Sequence, residues 1–179
     1  TIEKKTFELW KQRFENFVPD VLTRIGEALG LSAQARRQAL AGSLLLSADN
    51  GHAVHPNFPE KADPANRVYP NGGVVIKYSA NQKYTTTGLT AGLFQAICQK
   101  AGVPVQVFAN RADEPGGSTL GNLLGHQVSI PMVDIGMAQL AMHSAVETAG
   151  SRDPEYMARA CAAFFQAEFT QTADGVYQF

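Results

Sequence analysis

Gly42-Ser43-Leu44-Leu45-Leu46-Ser47-Ala48-Asp49-Asn50-Gly51-His52-Ala53-Val54-His55-Pro56-Asn57 decides how this chain is read. Its apolar lead-in reads as a buried strand over residues 43–49 that ends on a carboxylate, with two imidazoles close behind. Open α/β sheets bind ligands in the crevice beyond the carboxyl ends of their strands. Asp49, His52 and His55 are therefore placed where such folds do chemistry, rather than scattered along a surface helix.

Outward from this segment, strands and helices alternate. Upstream, Phe7, Trp10, Phe14, Phe17, Val21, Ile25 and Leu29 recur at three- and four-residue spacing, which predicts helix over 6–29. Pro19 is expected to break that stretch into two helices, and Ser32 to cap a third running to Leu40. Downstream, residues 55–73 hold four Pro, three Asn and two Gly and read as a long irregular loop. Strands are expected at Val74–Tyr78, Val103–Phe108 and Val128–Ile135. Helices are expected from Thr87 to Gln99, from the Gly116-Gly117-Ser118-Thr119 loop to Leu124, and from Pro154 to about Phe169 with Asp153 as cap. The tail from Thr170 has no apolar period. This alternation argues for an α/β sandwich with a mainly parallel sheet.

The chain has 179 residues, enough for one domain with a real core. Apolar residues make up 45% and charged residues 17%, which marks a globular chain. A formal net charge of −1 gives no electrostatic case for nucleic acid or an anionic membrane. No apolar run approaches the roughly 20 residues of a membrane span, and the Glu3-Lys4-Lys5 start lacks the apolar core of a signal peptide. Cys98 and Cys161 lie in separate helical patterns and read as reduced, buried thiols of a cytoplasmic protein.

Each candidate residue has an ordinary reading beside the chemical one. Asp49 can cap a turn at a strand end or, with His52 and His55, supply oxygen and nitrogen to a single divalent metal. His143, just past a buried strand, reads as a backbone-bonded core histidine or as a ligand. Lys77 lies on a buried strand, where an ammonium is costly without a partner. It either snorkels to the sheet edge or is held ready for an anionic substrate group. Gly116-Gly117-Ser118-Thr119 is a turn or an anion-binding helix start; no lysine follows as in a P-loop. His126 reads as a surface turn residue. No Gly-x-Ser-x-Gly nucleophile elbow is present.

Four stretches together resemble the aspartyl aminopeptidase family of dinuclear metallopeptidases: Ser-Ala-Asp-Asn-Gly-His-Ala-Val-His-Pro-Asn (47–57), Val-Ile-Lys (75–77) with Asn-Gln-Lys-Tyr (81–84), Gly-Gly-Ser-Thr-Leu-Gly (116–121), and Asp-Ile-Gly-Met-Ala-Gln-Leu-Ala-Met-His-Ser (134–144). Their order and spacing match over roughly residues 40 to 170, and the first and last motifs are the specific ones. The resemblance implies a three-layer α/β/α sandwich of the zinc-peptidase type. It also implies removal of N-terminal Asp or Glu from peptides by metal-activated water, and assembly into a homo-oligomer, a tetrahedral dodecamer in the family. Two divalent ions are implied, Zn in the first place, with Mn or Co as alternatives. By resemblance Asp49 is a terminal ligand to one ion and His143 to the other. His52 lines the substrate pocket, Lys77 pairs with the carboxylate of the substrate's first residue, and Tyr84 contacts the substrate nearby.

Two departures stand out. Ala138 occupies a position where many members carry Pro. The family also needs an upstream His, a bridging Asp and an adjacent Glu-Glu pair that supplies the general base, whereas this chain has no Glu-Glu and its four His all lie further on. The expectation is a C-terminal part of one catalytic domain, incomplete because the upstream segments are missing and inactive alone. Residues 1–41 would be a helical lead-in, 42–169 the sheet and helices that carry the site, and 170–179 a tail. The alternative is a non-catalytic relic or fragment that acts as a binding or assembly module.

Overall fold

The computed structural model describes residues 16–114, 116–173 and 176–178. Phe7, Trp10, Phe14 and the first residues of the chain lie outside them. Helix α1 is described over residues 16–28, with Pro19 in its first described turn, and the expected division of 6–29 into two helices falls on residues outside the described ones. Helix α2 (Ala33–Ala41) starts as expected, with Ser32 Oγ accepting from Ala35 N at 3.1 Å.

Four strands form the central sheet in the order β1-β5-β3-β4, with β1 at Leu45–Ala48, β3 at Val74–Tyr78, β4 at Val105–Ala109 and β5 at Met132–Gly136. β1 runs parallel to β5 (Leu45 opposite Met132) and β3 parallel to β4 (Val74 opposite Val105), while β3 and β5 are antiparallel. The mainly parallel expectation therefore holds for the two outer pairings. β5 starts four residues later than the apolar run from Val128 suggested, because Pro131 precedes it and cannot donate to a ladder.

Alternation along β3 divides the interior in two. Val74 and Ile76 join Val133, Ile135, Phe94, Cys98 and Ala160 under α3 (Gly88–Lys100) and α5 (Asp153–Gln166). Val75 faces the other way, with Phe108, Tyr84, Val68, Ala53 and Ala138. On that second face α4 (Leu120–Gly125) packs against β1 and β5, with Ser47 Oγ accepting from Gly121 N at 3.0 Å. Sheet and helical layers thus follow the α/β sandwich of the sequence reading. A reciprocal box closes the start of α3: Thr87 Oγ1 accepts from Thr90 N at 3.2 Å and Thr87 N donates to Thr90 Oγ1 at 3.0 Å.

Three expectations change. Asp153 does not cap α5; it is the first helical residue and fully buried, and its carboxylate accepts from Asn71 N at 2.8 Å and Gly73 N at 3.4 Å. It anchors the helix to the turn that feeds β3 rather than satisfying the helix's own amides. α5 ends at Gln166 rather than near Phe169, and beyond it β8 (Thr170–Ala173) and β9 (Val176–Gln178) pair antiparallel, with Phe169 and Tyr177 edge to face at 6.1 Å. Cys161 is only half-buried, whereas Cys98 is fully buried as expected. Both thiols are free.

A small second sheet, unforeseen in the sequence, joins β2 (Gly51–His52), β6 (Ala138–Leu140) and β7 (Thr148–Ala149). It extends the β1/β5 pairing past the end of β1: Asp49 N donates to Ile135 O, Gly51 N to Met137 O and Ala53 N to Gln139 O, all at 2.9 Å. The close crossing requires Gly136, since a Cβ there would overlap the Asp49 carbonyl.

Candidate active site

Asp49 is the first residue past β1, and its side chain is 56% exposed. Its neighbour Asn50 fastens this corner, with Asn50 Oδ1 accepting from Met137 N at 3.1 Å and Nδ2 donating to Gln139 Oε1 at 2.5 Å. The carboxylate end of β1 is thereby held against the β5–β6 junction.

Lys77 points into the second face from the middle of the sheet and is 1% exposed. It does not snorkel to the edge, because β3 is flanked on both sides by β5 and β4. Its Nζ lies 3.5 Å from Asp49 Oδ2, 3.5 Å from Asn50 O and 5.0 Å from the centre of the Tyr84 ring. Burial pushes the ammonium below its usual range, opposed by the charges of Asp49 and then Asp134. These contacts are loose for a buried cation: the ion pair is at the long end and its acceptor is half in water, which makes it worth little. The ammonium is therefore desolvated without a tight counter-ion, a state suited to receiving an anion from outside. Tyr84 is buried beside it; burial raises its phenol, and Asn110 Nδ2 donates to the Tyr84 hydroxyl at 3.4 Å.

The structure gathers Asp49, Lys77 and Tyr84 and leaves the histidines apart. His52 and His55 are exposed and line a neighbouring cavity of about 290 Å³ with Phe58, Phe108, Asn110 and Gln139. Lys77 is not among its walls, and Asn110 connects the two places through its bond to Tyr84. His55 makes a local turn, its Nδ1 accepting from Asn57 N at 3.2 Å and its ring lying 5.2 Å from Phe58.

His143 is exposed rather than a core histidine. It sits at φ +68° two residues after Ala141 at φ +55°, and its N donates to Glu147 Oε1 at 2.6 Å. Two side-chain-bearing residues in the left-handed region cost about 1–2 kcal/mol each, so this turn is held by its context.

The single-metal reading of Asp49, His52 and His55 fails. Among the described residues no three His, Cys, Asp or Glu side chains gather as a metal site. A carboxylate at a strand end and an exposed imidazole are suitable oxygen and nitrogen donors for zinc. One donor to each of two ions fills a quarter of a four-ligand shell, so these residues fit metals only as part of a larger set.

Asp134, in the sequence only the first residue of the 134–144 motif, lies at the centre of this face. It is fully buried and receives three hydrogen bonds, from Thr85 N, Thr85 Oγ1 and Thr119 Oγ1. A carboxylate between Val133 and Ile135 in a buried strand was the available signal.

The profile of the aminopeptidase I zinc metalloprotease (M18) family matches residues 14–165. A Mycobacterium leprae protein named "Probable M18 family aminopeptidase 2" is 45% identical over 153 residues, 86% of this chain and 36% of that protein. A chain in the cryo-EM structure of the Ape4 and Nbr1 complex superposes with TM-score 0.82 at 40% identity, over 86% of this chain and 29% of that one. The S. cerevisiae mApe1 dodecamer matches with TM-score 0.74 at 27% identity, over 86% of this chain and 34% of its own. The chain spans about a third of the length of the curated relatives it matches. On the matched profile and these relatives, the chain belongs to the aminopeptidase I zinc metalloprotease (M18) family.

Proposed function

We propose that this chain is the C-terminal part of the catalytic domain of a cytoplasmic, homo-oligomeric metalloaminopeptidase that removes N-terminal Asp or Glu from peptides. The observation that carries this reading is Lys77, an ammonium 1% exposed on the central strand whose only carboxylate within ion-pair range among the described residues is 3.5 Å away and half in solvent. An acidic side chain entering beside Tyr84 supplies the counter-charge that the fold leaves weak. The Tyr84 ring, 5.0 Å from Lys77 Nζ, would wall that side chain, with His52 in the neighbouring cavity.

Asp49 and His143 are the residues of this chain that would hold divalent ions, one each, with zinc favoured by the oxygen and nitrogen donors. Bound metal supplies a polarised carbonyl and a water of lowered pKa. Within this chain the work is binding and orientation: Lys77 fixes the acidic side chain, and Asn50 holds the Asp49 corner to the β5–β6 junction. The general base, the bridging carboxylate and the remaining ligands belong to the rest of the enzyme, so this chain alone is inactive. The dodecamer named for the yeast relative supports an oligomeric assembly here.

The test is Lys77→Ala in the enzyme that carries this chain, assayed on peptides beginning with Asp, Glu or Leu. Loss of a buried charge partner costs about 2–3 kcal/mol, so the preference for acidic substrates should drop about thirty- to 150-fold. An unchanged preference would sink the specificity assignment.

A further inference from the structure

Asp134 is a costly residue in a costly place. Its neighbours on β5, Val133 and Ile135, pack under α3 and α5, while its own side chain turns to the second face and is fully buried. A strand that needed only packing would carry an apolar residue there. Among the described residues its side-chain hydrogen bonds go instead to Thr85 and Thr119.

Its Oδ2 accepts from Thr85 N at 2.6 Å and from Thr85 Oγ1 at 2.8 Å. Its Oδ1 accepts from Thr119 Oγ1 at 2.5 Å, and its own amide donates to Thr86 Oγ1 at 2.9 Å. Thr119 stands at the N-cap of α4 yet makes no capping bond with its side chain; that hydroxyl goes to Asp134, and the helix start relies on Ser47 instead. Two loops distant in sequence thus end on one carboxylate.

Both loops bear on Tyr84, whose ring lies 5.0 Å from Lys77 Nζ. Tyr84 is pinned from either side, by Thr85 on Asp134 and by Lys83, whose Nζ donates to Gly116 O at 2.7 Å. Its hydroxyl meets Asn110, against which Gly116 packs so closely that a Cβ on that glycine would overlap the amide. The 83–86 segment and the 116–119 loop therefore set one another's position, with Asp134 beneath them.

We infer that Asp134 is a positioning residue for substrate: its buried carboxylate ties the 83–86 segment and the Gly116–Thr119 loop to β5 and so holds Tyr84 over Lys77. This rests on the reading of Lys77 and Tyr84 as the receptor for the acidic side chain.

The experiment uses the metal-loaded enzyme that carries this chain, as wild type, Thr119→Val and Thr119→Ser. Val keeps the shape and removes the donor, whereas Ser keeps the donor. Thr119→Val should raise KM for a peptide with N-terminal Asp about tenfold while kcat changes less than about threefold. It should also speed amide exchange in both loops, 83–87 and 116–121. Thr119→Ser should restore KM and exchange to wild-type values. Asp134→Asn is the second variant: its amide oxygen can still face Thr85 and its NH₂ can donate to Thr119, so it should fold and keep exchange slow in both loops.

A Thr119→Val enzyme with wild-type KM overturns the inference, as does a Ser variant impaired as much as the Val variant. Should the wild type show no preference for acidic substrates, it is the Lys77 reading that fails. Amide exchange then decides the Asp134 clamp alone: unchanged exchange in Thr119→Val overturns it, and faster exchange in both loops supports it.

Discussion

Replacing Lys77 by Met in the enzyme that carries this chain separates what the ammonium does for the fold from what it does for binding. The side chain is 1% exposed, and Met fills nearly the same volume without the charge. The interactions lost are small. The cation–π contact with Tyr84 at 5.0 Å is worth about 0.5–2 kcal/mol. The 3.5 Å pair with a 56% exposed Asp49 is worth at most about 1 kcal/mol, and its released partner is re-hydrated. Against them stands the desolvation of the ammonium, several kcal/mol for a buried ion. The fully buried Asp134 carboxylate also loses a nearby opposite charge, so the balance is close to neutral, within about 2 kcal/mol, and the melting temperature of so long an enzyme should move by no more than about 4 °C. Thermal denaturation of wild type and variant, followed by fluorescence, reads this directly. A fall of more than about 5 °C would show that Lys77 serves the fold rather than binding.

Four further outcomes are expected. Asp153→Ala strips the acceptor from the amides of Asn71 and Gly73 and should cost about 2–4 kcal/mol in a denaturant titration. Gly136→Ala drives a Cβ into the Asp49 carbonyl and should lower stability by about 1–3 kcal/mol and depress activity by moving the Asp49 corner. Burial pushes the Cys98 thiol up to about 12 from an ordinary 9.0. The native state thus retains a proton that the unfolded chain gives up. This contribution is intact below pH 9 and is lost as pH rises toward 12, at about 1.4 kcal/mol per unit. Cys98→Ser should flatten that alkaline decline, and Cys98 should resist thiol reagents in the folded protein at neutral pH. In the intact enzyme His143→Ala should lower bound zinc by atomic absorption while His55→Ala leaves it unchanged; the reverse pattern would return the metal to the 49–55 segment.

Elements whose signal is local were legible in the sequence. The run Val74-Val75-Ile76-Lys77-Tyr78 is strand β3 from end to end, and Thr87 marks the start of α3 because its capping partner is only three residues away. Ser32 is found the same way. What escaped depends on partners distant in the chain. Strands β2 and β7 are two residues long, too short for any period, and exist because β6 lies between them. Asp153 looked like a helix cap because its true partners, Asn71 and Gly73, precede it by some eighty positions. Asp134 carried a visible oddity, a charge inside an apolar strand, but Thr85 and Thr119 cannot be assigned to it without the fold. Lys77 was legible as an alternative between edge and interior, and the strand order β1-β5-β3-β4 decides it by enclosing β3.

The most direct test of acidic specificity compares two peptides alike except for the N-terminal residue, Asp in one and Asn in the other, as substrates of the metal-loaded enzyme that carries this chain. The pair differs in charge and scarcely in shape, so the ratio of kcat/KM isolates what Lys77 recognises. Asp should be favoured by about thirtyfold or more, and a ratio near one would remove Lys77 as the receptor for an acidic side chain.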